Sequence, residues 1–150
     1  MVNEARAIKY AADNGAVILQ CSWGYNSAYS NPLQGYVPGP ATDEEWTKTY
    51  PLEKEALDYF IHNAGSPNGV IEGGLAIFAS GNEYSYMSSY PAAYEGCLSV
   101  ASIAADYTPS SFSKFINSCT LKWRERWIPI IKVIRLTIIC IILRVGRQQK

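Results

Sequence analysis

Apolar positions recur at three- and four-residue spacing over residues 3–14, where Ala5, Ile8, Ala11 and Ala12 make one stripe and predict an amphipathic helix. Asn3 is placed to cap its start, Glu4 suits the positive end of the helix dipole, and Gly15 supplies a left-handed stop. The period then changes. Ala16-Val17-Ile18-Leu19 is an unbroken, partly β-branched apolar run and reads as a strand buried on both faces. Over 24–50 periodicity disappears. Gly24, Gly35, Gly39, Pro32, Pro38 and Pro40 alternate with Tyr25, Tyr29, Tyr36 and Trp46, which predicts a long irregular surface loop. Helical spacing returns over 51–64, with Leu52, Ala56, Phe60 and Ala64 at i, i+4 and Leu57 and Ile61 beside them. Pro51 opens that helix and Gly65 ends it. Leu75–Ala79 predicts a second buried strand and 98–103 a third. The order helix, strand, helix, strand, strand points to an α/β layered domain with a mainly parallel sheet.

Composition agrees with one folded domain. The chain has 150 residues, 48% of them apolar and 17% charged, so a core can form and wholesale disorder is excluded. The net charge of zero speaks against a nucleic-acid partner. That zero conceals a division: residues 1–112 hold 4 basic and 12 acidic side chains, whereas 113–150 hold 9 basic and 1 acidic. The two parts are therefore read separately. The cysteines at 21, 97, 119 and 140 make no zinc or redox spacing, and one histidine, His62, makes a structural zinc site improbable, so no metal is expected. Cys21 reads as a small buried hydrophobe. The first residues show no basic-then-apolar signal pattern. A chain opening directly into a helix suggests a piece of something longer.

In a parallel α/β sheet, ligands bind beyond the carboxyl ends of the strands. Ser22-Trp23-Gly24 follows the first strand and Ser80-Gly81-Asn82-Glu83 the second. Small residues there let a ligand approach the backbone, and Asn82 carries an amide donor over the rim. These segments also carry a resemblance. Ala7-Ile8 through Ala11-Ala12-Asp13, Gly15-Ala16-Val17-Ile18 and Ser22-Trp23-Gly24 resemble the helix, strand and substrate-binding edge of subtilisin-like serine proteases. Ala76-Ile77-Phe78-Ala79-Ser80-Gly81-Asn82-Glu83 is similar to that family's strand and oxyanion-hole motif. Tyr90-Pro91-Ala92-Ala93-Tyr94, Leu98-Ser99-Val100-Ala101-Ser102 and the serine-rich turn Ser111-Phe112-Ser113 follow in family order.

The resemblance covers roughly residues 5–115 and implies a partial three-layer α/β/α fold, with a domain over 1–115 interrupted by the loop at 25–50. It implies proteolysis of a polypeptide substrate. It makes Asn82 the side-chain donor of the oxyanion hole. Ser22, Trp23 and Gly24 become the edge that pairs with the substrate as an added strand, and Ala79, Ser80 and Gly81 a pocket wall. The reason for an amide is chemical: attack on a peptide carbonyl puts negative charge on oxygen, and a pre-aimed N–H stabilises it without reorganisation. Carbonyls near Ala92 and Tyr94 match a region that holds a weak cation in some relatives, so calcium belongs to the intact family domain. The family is commonly secreted or at the cell surface.

The resemblance is incomplete. The family's triad runs Asp, His, Ser. Its Asp and His would lie before the matched segment, and no Gly-Thr-Ser nucleophile stretch occurs. His62 lies outside the histidine motif, Asp13 flanks a helix end, Asp106 falls in a turn, and Ser113 has no general base beside it. The chain is therefore expected to be silent alone. A non-enzymatic α/β module that binds peptide or protein is the rival reading. A nucleotide-binding domain is poor, because no G-x-G-x-x-G or Walker pattern follows either strand. After residue 115 the family pattern gives way to a basic, isoleucine-rich tail, 116–150, expected from a shifted frame or chimeric end. Its apolar run, 128–143, is only 16 residues long and contains Pro129, Lys132 and Arg135, which disfavours a membrane span. The uncharged stretch 136–143 instead makes self-association the expected hazard.

Overall fold

A computed structural model of the chain describes residues 2–30, 32–65, 72–102 and 108–114. The tail 116–150 and the segment 103–107, with Asp106, lie outside the described residues. Helix α1 spans Val2–Asp13 and stops at Gly15, whose φ of +78° is the left-handed conformation a residue with a Cβ rarely adopts. Asn3 is inside this helix and not its cap. Strand β1 is Ile18–Cys21, two residues later than the apolar run suggests, because pairing decides its bounds. The Val17 carbonyl accepts from the Leu75 N–H at 2.9 Å, and the ladder then runs from Ile18↔Leu75 to Cys21↔Phe78.

Strand β2, Leu75–Ala79, lies centrally and β3, Cys97–Val100, pairs with its other side; both pairings are parallel. The sheet is flanked by α1 and by α3, Pro51–Asn63, giving the α/β arrangement expected. Alternation puts Cys21, Ala76, Phe78 and Ser99 on the buried face. There Cys21, Ala76 and Phe78 join Ile8 and Ala12 of α1 and Ala56, Leu57 and Phe60 of α3 in one core. The two helices also meet at the surface: Tyr59 Oη donates to Asp13 at 2.9 Å, and Lys9 Nζ lies 4.5 Å above the Tyr59 ring.

Burial of β1 on both faces is not observed. Ile18 is 52% exposed, because β1 is an edge of this sheet and its second face receives no helix from the described residues.

The segment 25–50 is more ordered than its composition suggests. It contains a short 3₁₀ turn, Pro32–Gln34, and a helix α2, Asp43–Thr49. Thr42 Oγ1 caps α2 by accepting from Glu45 N–H at 3.2 Å, while the Glu45 carboxylate reaches back to Ala41 N–H at 2.9 Å. The sequence is that of a capping box, Thr followed three residues later by Glu, with the return bond made to Ala41, one residue before the cap. It delivers Trp46, which is fully buried, into the core.

Candidate functional site

Parallel pairing of β1 and β2 ends in register at Cys21↔Phe78, so the segments leaving the two strands emerge side by side. Between them opens a cavity of about 760 Å³. Ser22, Trp23 and Gly24 line it from β1, and Ala79, Ser80, Gly81 and Asn82 line it from β2. Tyr25, Tyr29, Tyr36, Tyr84, Tyr90 and Phe112 supply aromatic walls.

Each rim residue is held differently. Asn82 is exposed and follows Gly81, whose φ of +109° turns the chain out of the strand. A Cβ at Gly81 would also sit 3.1 Å from Lys114 Cδ, so position 81 is restricted by both conformation and space. Ser80 is buried, and its hydroxyl donates to the Lys114 carbonyl at 2.9 Å. Trp23 packs edge-on against the core ring of Phe78, centroids 5.3 Å apart. At Gly24 a Cβ would approach the Tyr90 carbonyl to 3.1 Å, and that same oxygen accepts from Tyr25 N–H at 2.8 Å. The edge at 22–25 is thereby fastened to the wall that carries Tyr90.

Beneath this rim lies a charged cluster that the sequence does not announce. Lys114 is wholly buried; its ammonium pairs with Glu83 Oε2 at 2.9 Å and also donates to Ser89 Oγ. Glu83 in turn accepts from Ser27 N–H at 3.0 and 3.2 Å and from Ser30 Oγ at 3.1 Å. Partial burial works against the Glu83 carboxylate, but the donors from Lys114 and Ser27 outweigh it and hold the pKa below its ordinary value. One carboxylate thus ties the Asn82 loop, the 27–30 turn and the 111–114 segment together.

The walls rest on α2 and α3. Trp46 stacks on Tyr90, centroids 5.4 Å apart. Trp46 Nε1 donates to Glu53 Oε2 at 2.9 Å, and Tyr25 Oη donates to the same oxygen at 3.1 Å. Burial raises the Glu53 pKa despite these two donors. Burial, with Asp43 nearby, pushes Tyr90 up to about 12, so its phenol is neutral.

The remaining residues singled out from the sequence lie elsewhere. His62 is exposed at the end of α3, where its Nδ1 donates to the Asp58 carbonyl at 2.7 Å. Asp13 pairs with Lys9 at 2.7 Å on the α1 surface. Ser113 is buried, and its Oγ accepts from Ser102 N–H at 2.9 Å. Cys21 is buried, which raises its thiol to about 11. In the Ala92–Tyr94 region the Tyr94 carbonyl accepts from Cys97 N–H at 2.9 Å, and Lys54 Nζ lies 4.3 Å over the Tyr94 ring. No group of three or more His, Cys, Asp or Glu that could hold a metal occurs among the described residues.

An α/β domain with a cleft at the carboxyl rim of a parallel sheet is the class these features define. The model of peptidase S8, the subtilase family, matches residues 1–128, and the chain belongs to that family. Among solved structures, prenylagaramide maturation protease PagA is 20% identical, with a TM-score of 0.53 over 78% of this chain and 33% of that one. Psychrophilic subtilisin-like protease Apa1 from an Antarctic Pseudoalteromonas is 23% identical, with a TM-score of 0.48 over 76% of this chain and 20% of that one. The PatG macrocyclase in complex with peptide is 22% identical, with a TM-score of 0.47 over 75% and 25% respectively. The chain therefore spans a third or less of the length of these structures. No curated protein sequence matches it.

Proposed function

We propose that residues 1–115 are the substrate-gripping part of a subtilisin-like serine endopeptidase domain, and that the 150 residues alone bind polypeptide without cutting it. In this reading Ser22, Trp23 and Gly24 pair with an extended substrate as an added strand. Ala79, Ser80 and Gly81 wall the pocket beside the scissile bond, and the Asn82 amide donates to the oxygen on which negative charge develops. The observation that carries the reading is the single cleft shared by the exposed amide at 82 and the tripeptide at 22–24. Silence follows from the sole histidine, His62, which is bonded to Asp58 on α3 and is not among the residues lining the cleft. A general base for a serine nucleophile must come within about 2.6–3.2 Å of it.

The test uses the full chain. A fluorophosphonate probe leaves it unlabelled; covalent labelling at a serine overturns the silent reading. A peptide carrying a tetrahedral phosphinate, whose anionic oxygen mimics the intermediate, binds more tightly than the matching amide. Asn82→Leu removes that advantage, worth about 1.5–3 kcal/mol or roughly 10- to 150-fold for a hydrogen bond to a charge, and leaves binding of the amide peptide unchanged. An unaltered advantage in the variant removes Asn82 from the role.

A further inference from the structure

The cleft is unusual in its charge. Of the described residues lining it, only Glu83 carries a carboxylate, and none is a lysine, arginine or histidine. The Glu83 side chain is 24% exposed, so a ligand in the cleft can sense it. Left alone it would make an aromatic cleft with one negative charge, which attracts cations both electrostatically and through the ring faces. Lys114 prevents that. Its ammonium is 0% exposed, 2.9 Å from the carboxylate, and reaches it from behind the rim. It occupies no part of the cleft wall. Burial makes this charge costly unless it is paired, and Glu83 and Ser89 are the partners that satisfy it. The result is a wall of aromatic surface over a cancelled charge.

We propose that Lys114 is a specificity-determining residue: by neutralising Glu83, the one carboxylate among the described residues lining the cleft, from beneath, it reserves the cleft for polypeptide segments with uncharged aromatic or apolar side chains. The inference rests on the peptide-gripping reading above. It adds the class of segment taken and a residue, outside the cleft lining, that sets it.

Three labelled tetrapeptide amides, identical except for one residue (Phe, Lys or Glu), are titrated against the full chain by fluorescence anisotropy. The wild type binds the Phe peptide tightest. In Lys114→Met the Lys peptide gains about fivefold relative to the Phe peptide, the equivalent of one partly exposed ion pair. Lys114→Arg, which keeps the charge, and the double variant Lys114→Met with Glu83→Gln, which removes both charges, keep the wild-type order. A merely structural role for Lys114 would weaken all three peptides alike and leave their ratios fixed, and that result overturns the inference. So does a wild type that binds the Lys peptide as tightly as the Phe peptide, a measurement that needs no variant to fold. Failure of the wild type to bind any of the three overturns the peptide-gripping reading itself, and the inference with it.

Discussion

Two carboxylates support the walls and the rim of the cleft, and they are held by different chemistry. Glu53, on α3 behind the walls, is almost fully buried and receives only dipolar donors, the Trp46 indole and the Tyr25 phenol. Glu83, under the rim, is less buried and receives a full positive charge from Lys114. Their pKa values move apart accordingly, Glu53 upward and Glu83 downward from an ordinary 4.5. Deep burial of Glu53 outweighs its two donors, whereas at Glu83 the shallower burial is outweighed by the bonds from Lys114 and Ser27. Glu53 serves packing by anchoring two aromatic rings, whereas Glu83 serves position by joining three loops.

The largest effect that can separate the two is removal of Trp46. Trp46→Ala empties a fully buried site and strips Glu53 of a donor, so it lowers unfolding free energy by about 3–5 kcal/mol in denaturant titrations. A loss below about 1 kcal/mol would mean that the α2 side does not support the fold.

The pH dependence of stability sharpens the contrast with opposite signs. The Glu83 contribution is complete above its unfolded pKa and is lost as pH falls through its lower folded value. Glu53 does the reverse: the folded state holds its proton more tightly, so stability declines as pH rises from 4.5 through the raised value. Unfolding midpoints recorded between about pH 3 and 8 should show both slopes. Glu83→Gln flattens the acid side and Glu53→Gln the neutral side. If one variant flattens both limbs, the two carboxylates are not independent. The smallest effect is at the cap that presents Trp46. Thr42→Ala costs about 1 kcal/mol by the same denaturant titration and leaves the pH slopes in place.

Much of the scaffold was readable from residue pattern. The bounds of β2 coincide with its apolar pentapeptide, and α3 and the Gly15 stop follow from spacing and from glycine's conformational freedom. β1 was displaced by two residues because the ladder with β2, not local hydrophobicity, sets its start. Helix α2 was obscured by the glycines, prolines and tyrosines around it, although Thr42 and Glu45 spell a capping box that a closer reading could use. For the cleft, the positions beyond the two strands were legible because topology dictates where a parallel sheet binds. The Glu83–Lys114 pair was not, since 31 residues separate the partners and neither lies in a periodic pattern.

The contact between Trp23 and Phe78 gives the molecule a built-in optical gauge. One indole stands at the mouth of the cleft with its edge on a core ring, while that of Trp46 is sealed from solvent. A ligand entering the cleft would touch the first directly and reach the second only through Tyr90. Trp123 and Trp127 lie outside the described residues, so replacing both with phenylalanine leaves an emission to which only the cleft indole and the core indole contribute.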